Sequence, residues 1–125
     1  MRYKDYKQIY FKAKEIEYLS DSISRSFMYD YEHLDRNGKE HPDIYFLGDL
    51  IRDSNFLSLE VLSMHYYSQK EDQIKFALKA RLCSSRLFRK CKRLEKNSKS
   101  GKDYIYLLKK ELKRFNRLQE KWIQI

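Results

Sequence analysis

Residues that break helices and end strands are scarce: three glycines and one proline stand in 125 residues, with Pro42 close to Gly38 and Gly101 far downstream. Nor is there a clean run of alternating apolar and polar residues bounded by turns, so a sheet protein is excluded and an all-α class is predicted. No apolar run approaches the length of a transmembrane helix. The opening Met1-Arg2-Tyr3-Lys4-Asp5-Tyr6 lacks the apolar core of a signal peptide. The chain is therefore expected in the cytoplasm, away from membranes. Cysteine is limited to Cys83 and Cys91. On one helix their eight-residue separation is about 12 Å of rise, too far for a bridge. They read as buried free thiols in a reducing compartment.

Chemistry-bearing patterns are missing too. There is no glycine-rich phosphate loop, no pair of carboxylates on a recognisable scaffold, and no Ser, His and Asp set brought together by spacing. His33 and His41 lie near Asp35 and Asp43 without tight ligand spacing and with no third histidine nearby, so no metal is expected. The chain reads as a binding protein with no cofactor and no catalytic residue.

What is present is amphipathic helix. The length fits one domain, residues 1–125, with a core that needs no disulfide. With 36% charged and 42% hydrophobic residues the chain is neither a disordered tail nor a membrane span. Ile9, Ala13, Ile16, Leu19, Ile23 and Phe27 recur at steps of three and four and predict a first helix from Lys4 to Tyr31. Tyrosines at 3, 6, 10, 18, 29 and 31 flank that seam; beside lysine such rings can stack on bases, but the expectation is that they cover the border of a core while their hydroxyls stay wet. Glu32 to Pro42 is a loop, with Asn37-Gly38 as its turn and Pro42 pre-set for a first helical position.

The second helix, Asp43 to Tyr67, carries Leu47, Leu50, Ile51, Ser54, Leu57, Val61, Leu62 and His65 on a wide seam. Gly48 inside it marks either a close backbone approach or the neighbourhood of the true start. Asp49 and Arg52, one turn apart, read as a solvated ion pair. Ser68-Gln69-Lys70-Glu71 has capping-box form. It introduces a third helix over Gln73 to Lys96, with Phe76, Ala80, Cys83, Leu87, Cys91 and Leu94 as its seam. Ser100 caps a fourth, whose seam is Tyr104, Leu108, Leu112, Phe115, Leu118, Trp122 and Ile125. Four such helices with short connections predict an antiparallel up-down-up-down four-helix bundle.

Charge is divided between the two hairpins. Residues 1–73 hold ten Lys and Arg against fourteen Asp and Glu; residues 74–125 hold seventeen against four. A charge serving general dispersal spreads over both halves. A one-sided cationic field attracts phosphate backbones, or it pairs with the acidic hairpin of a neighbouring subunit. On charge alone Lys79, Arg86, Lys90, Arg93, Lys96, Lys110, Lys113 and Arg117 are candidate nucleic-acid contacts.

Phe46-Leu47-Gly48-Asp49-Leu50-Ile51-Arg52, then Leu87-Phe88-Arg89-Lys90-Cys91-Lys92-Arg93-Leu94, then Tyr104 to Trp122, taken in order, resemble a family. It is that of the four-helix-bundle accessory variability determinant proteins of diversity-generating retroelements. That family is related to proteins encoded in intervening sequences of bacterial ribosomal RNA genes. The resemblance covers about residues 44–125, and the region Asn55 to Ser63 lacks the Asn-Ile-Ala-Glu-Gly-like segment of the intervening-sequence branch. It implies a basic bundle assembling as a homo-oligomer, a pentamer, that binds RNA and DNA and associates with a reverse transcriptase. It adds Arg52 and Arg89 as family-like basic positions. The alternative is a structural oligomer whose basic face serves subunit or protein contacts.

Overall fold

A computed structural model describes residues 3–31, 37–39, 44–66, 69–97 and 102–123. Four helices account for nearly all of them, with no strand among the described residues: α1 (Tyr3–Tyr31), α2 (Ile44–Tyr66), α3 (Lys70–Asn97) and α4 (Lys102–Ile123). Between α1 and α2, Gly38 has φ 73°, the left-handed conformation that glycine adopts without steric cost. Gly48 is the fifth residue of α2 and its Cβ position is open, so it lies near the start and makes no close backbone approach. Helix α3 begins at Lys70, three residues before Gln73. The Gln73 N–H donates to the Gln69 carbonyl at 3.1 Å, and Glu71 and Asp72 place negative charge in the first turn, where the helix dipole favours it. Asp103 does the same for α4. Pro42, Asp43, Tyr67 and the expected caps Ser68 and Ser100 lie outside the described residues, as do the side chains of His65 and Trp122 and all of Ile125.

Most buried positions follow one rule in all four helices. The repeating ones are Tyr6, Ile9, Ala13, Ile16, Ser20, Ile23 and Phe27 in α1, and Leu47, Leu50, Ser54, Leu57, Val61 and Met64 in α2, with Ser24, Asp53, Ser58 and Cys83 buried beside the repeat. In α3 they are Ala77, Ala80, Ser84, Leu87, Cys91 and Leu94, and in α4 Ile105, Leu108, Leu112, Phe115 and Gln119. Steps of three and four alternate throughout, the seven-residue pattern that keeps a narrow seam on its neighbours along the whole helix. The pattern corrects the expected seams. Tyr104 is 52% exposed and Ile105 takes its place; Gln119 is fully buried where Leu118 was expected. Leu19 and Phe76 are half-buried beside the fully buried Ser20 and Ala77.

Helix α1 packs on α2 and α4, and α3 packs on α2 and α4, around one continuous core. Polar side chains tie the helices together. The Ser24 Oγ donates to the Leu47 carbonyl at 2.9 Å, whereas Ser58, later in α2, donates to Glu17 at 2.7 Å, earlier in α1. Partner numbers fall likewise from α3 to α4: Glu95 meets Lys109 at 2.9 Å, and Gln119 Nε2 donates to the Ala77 carbonyl at 3.1 Å. The bonds of Ser24, Ser58 and Gln119 each satisfy a buried polar group that would otherwise cost about 1–3 kcal/mol.

Both thiols are free and buried. Burial pushes the Cys91 thiol up to about 12 and raises Cys83, with Asp53 adding to the latter. Neither should react with a disulfide reagent at neutral pH in the native protein, and both should react once it is unfolded in guanidinium. Leu87→Ala should cost about 2–5 kcal/mol in denaturant titration. The same change at Leu82, 59% exposed on the outer side of the same helix, should stay within about 0.5 kcal/mol.

Candidate nucleic-acid interface

The core rule decides where the cations go. In each helix the residues flanking the seam point into the grooves between helices, and those beyond them face solvent. Between α2 and α3 this makes a recess of about 300 Å³ lined by Phe46, Arg86, Arg89, Lys90 and Arg93. The guanidinium carbon of Arg93 lies 4.2 Å from the centre of the Phe46 ring, a cation–π distance. Lys90 is turned inward. Its ammonium pairs with the buried Asp53 and lies 3.8 Å from Asp49, which also holds Arg52 at 2.7 Å. Lys90 is therefore neutralised within the subunit, while Arg86 and Arg89 are exposed and without a partner among the described residues.

Between α3 and α4 the half-buried Phe88 is surrounded by three ammonium groups. Lys92, Lys109 and Lys113 lie 5.2, 5.5 and 5.8 Å from its ring centre. The negative face of the ring eases their mutual repulsion, and Glu95 neutralises Lys109 only.

Between α4 and α1 a second recess, about 290 Å³, is lined by Lys12, Arg114, Arg117, Leu118 and Lys121. Here Glu111 accepts from Lys12 and from Arg114, both at 2.7 Å. Burial pushes the Glu111 carboxyl up, but the Lys12 hydrogen bond and the charges of Lys12 and Arg114 outweigh it, and its pKa is lowered. Burial likewise opposes the Lys12 charge, and its hydrogen bonds to Glu111 and Glu15 overcome that and raise it. The bridge thus contributes stability at neutral pH, lost in acid as pH falls through the lowered Glu111 value and in strong base as it rises through the raised Lys12 value. Arg117 and Lys121 have no carboxylate partner among the described residues. The groove between α1 and α2 is different: Glu17 and Asp21 line it with Lys14, Tyr18, Ile51 and Asn55.

Of the residues nominated from sequence, the fold thus gathers Arg86, Arg89, Lys90 and Arg93 in one groove and puts Lys113 and Arg117 in two others. Lys79 sits over the Phe76 ring at 5.4 Å, Arg52 is held by Asp49, and Lys96 and Lys110 are exposed on the outer faces of α3 and α4. Sequence reasoning missed Phe46 and Phe88 as groove aromatics, and Lys12, Lys92, Lys109, Arg114 and Lys121 as groove cations. The spacing of four between Phe88 and Lys92 is visible in sequence. Meetings such as Arg93 with Phe46 require knowing which helices are neighbours.

Among the described residues no group of three His, Cys, Asp or Glu side chains is placed to hold a metal ion, and no helix is long and apolar enough to cross a membrane. His33 and His41 lie outside those residues. Comparison of the chain with models of protein families, with curated proteins and with solved structures finds no match.

Lys90→Met should cost about 3–5 kcal/mol by leaving Asp53 charged, buried and alone, and adding Asp53→Leu should restore most of that in thermal or denaturant unfolding.

Proposed function

We propose that this protein is a nucleic-acid-binding accessory of a diversity-generating retroelement, with no chemistry of its own. It associates with the element's reverse transcriptase and template RNA and supports mutagenic cDNA synthesis in the cytoplasm. The observation that carries the nucleic-acid part is that three of the four interhelical grooves are lined by cations, several of them unneutralised. A protein gains no stability from such crowding, because unpaired like charges repel one another. Phosphate backbones supply the missing countercharge and release their own counterions on binding. The retroelement and its reverse transcriptase rest on the family resemblance of the second, third and fourth helices.

The scaffold in this reading is an antiparallel up-down-up-down bundle, supported by partner numbers that fall along one helix as they rise along its neighbour. It assembles as a homo-oligomer, a pentamer by family resemblance. Exposed Phe56 and Leu59 on α2 and Leu82 on α3, and Phe11, Tyr18 and Leu107 around a groove between α1 and α4, favour such assembly. That apolar surface also favours the second reading, a structural oligomer whose cations meet acids of neighbouring subunits.

Fluorescence anisotropy with labelled RNA, titrated from about 50 to 300 mM salt, tests the two. Tight binding with a steep negative salt slope is expected. Changing Arg86, Arg89, Arg93 and Lys113 together to Glu should abolish binding while helicity and the oligomer persist. An oligomer that binds nothing at the lowest salt refutes the nucleic-acid reading, and loss of the oligomer in the variant supports the structural one.

A further inference from the structure

Resting on that nucleic-acid reading, we infer that the ligand is a single strand that bends around the second hairpin, and not a duplex laid along it. The three cationic grooves do not share a plane. Because α3 touches α2 and α4, and α4 touches α1, the groove holding Arg86 and Arg89 and the groove holding Arg117 and Lys121 lie on opposite sides of the molecule. The Phe88 cluster with Lys92 and Lys113 lies between them. A ligand that neutralises all three has to pass over α3 and then over α4, turning around two helices whose axes are about 8–10 Å apart. Duplex DNA has a persistence length of about 50 nm and stays straight over such a distance, so it meets one groove and leaves the cations of the other two unpaired. A single strand turns at every nucleotide, and a belt of this kind falls in the range of about 4–16 nucleotides that compact single-strand binders cover.

The aromatic groups point the same way. Phe46 beneath the Arg93 guanidinium and Phe88 among its lysines put a ring beside the cations in two of the grooves. Bases of a single strand are free to stack on rings and guanidinium planes; bases inside a duplex are already stacked on each other.

The test uses the whole chain and one sequence of about 20 nucleotides, chosen to be unstructured, as a labelled single-stranded RNA and as its duplex. Anisotropy is measured across a salt series. The single strand is expected to bind at least tenfold more tightly. Three paired variants divide the belt: Arg86→Ala with Arg89→Ala, Lys92→Ala with Lys113→Ala, and Arg117→Ala with Lys121→Ala. All six residues are exposed, and circular dichroism checks that helicity is kept. Each pair should reduce the single-strand salt slope by about 1.4, at about 0.7 for each phosphate that is no longer neutralised. A duplex bound as tightly as the single strand, or a slope that only one pair changes, overturns the inference and leaves the nucleic-acid reading standing. Failure of both nucleic acids to bind at low salt removes that reading and the inference with it.

Discussion

The alternation of three and four residues between buried positions is the constraint from which the remaining structure follows. It confines the core to one narrow seam per helix, and so leaves most of each helix outside it. Ser20, Ser54, Ser84 and Gln119 occupy seam positions and are fully buried, whereas Leu19, Phe76 and Leu118 lie beside the seam. Position in the repeat decides most of the burial here, with Ser24, Asp53, Ser58 and Cys83 buried beside it, and residue type adapts to it. Flanking positions then fall into the grooves, where Lys90, Phe88 and Glu111 stand on α3 and α4. Core and groove are thereby written largely by different residues of the same helices, joined where a groove residue such as Lys90 reaches a buried one such as Asp53.

Two kinds of cation result. Lys90, Lys12 and Lys109 are held by carboxylates across a groove, and they join helices. The Lys90 pair, whose Asp53 is buried, adds little net stability, because desolvation offsets most of the attraction, but it makes one arrangement of the helices preferable to others. Arg86, Arg89, Arg117 and Lys121 have no such carboxylate among the described residues and raise the self-repulsion of the second hairpin. An apolar core running the length of four helices tolerates that repulsion.

The number of helices, their approximate ends and the division of charge were legible in the sequence, because each rests on local chemistry: scarce breakers, apolar periodicity and runs of lysine and arginine. The seams were read correctly where the largest apolar residue stands on the repeat, as at Ile16, Leu57, Leu87 and Phe115. They were read one residue off where a small or polar residue stands there and a larger apolar one stands beside it, as at Ser20 beside Leu19 and Gln119 beside Leu118. What makes Gln119 acceptable inside is the carbonyl of Ala77, forty-two residues away. The candidate site divides in the same way. Cations could be named from sequence, but which of them are held by internal carboxylates depends on neighbours such as Asp53, invisible to any local pattern.

The acids Glu17 and Asp21 between α1 and α2 have one more consequence, since that groove lies across the bundle axis from the lysines around Phe88. Lys14 and Arg25 pair with those acids, so that side is close to neutral, and the surplus of lysine and arginine on the second hairpin makes the molecule positive on the other. In the field of any polyanion it behaves as a compass needle, turning its lysine side inward before the surfaces touch. That torque acts over about a Debye length, near 8 Å at physiological salt, so alignment is decided in the last steps of approach. Collisions that start in the wrong orientation are thereby corrected and not wasted.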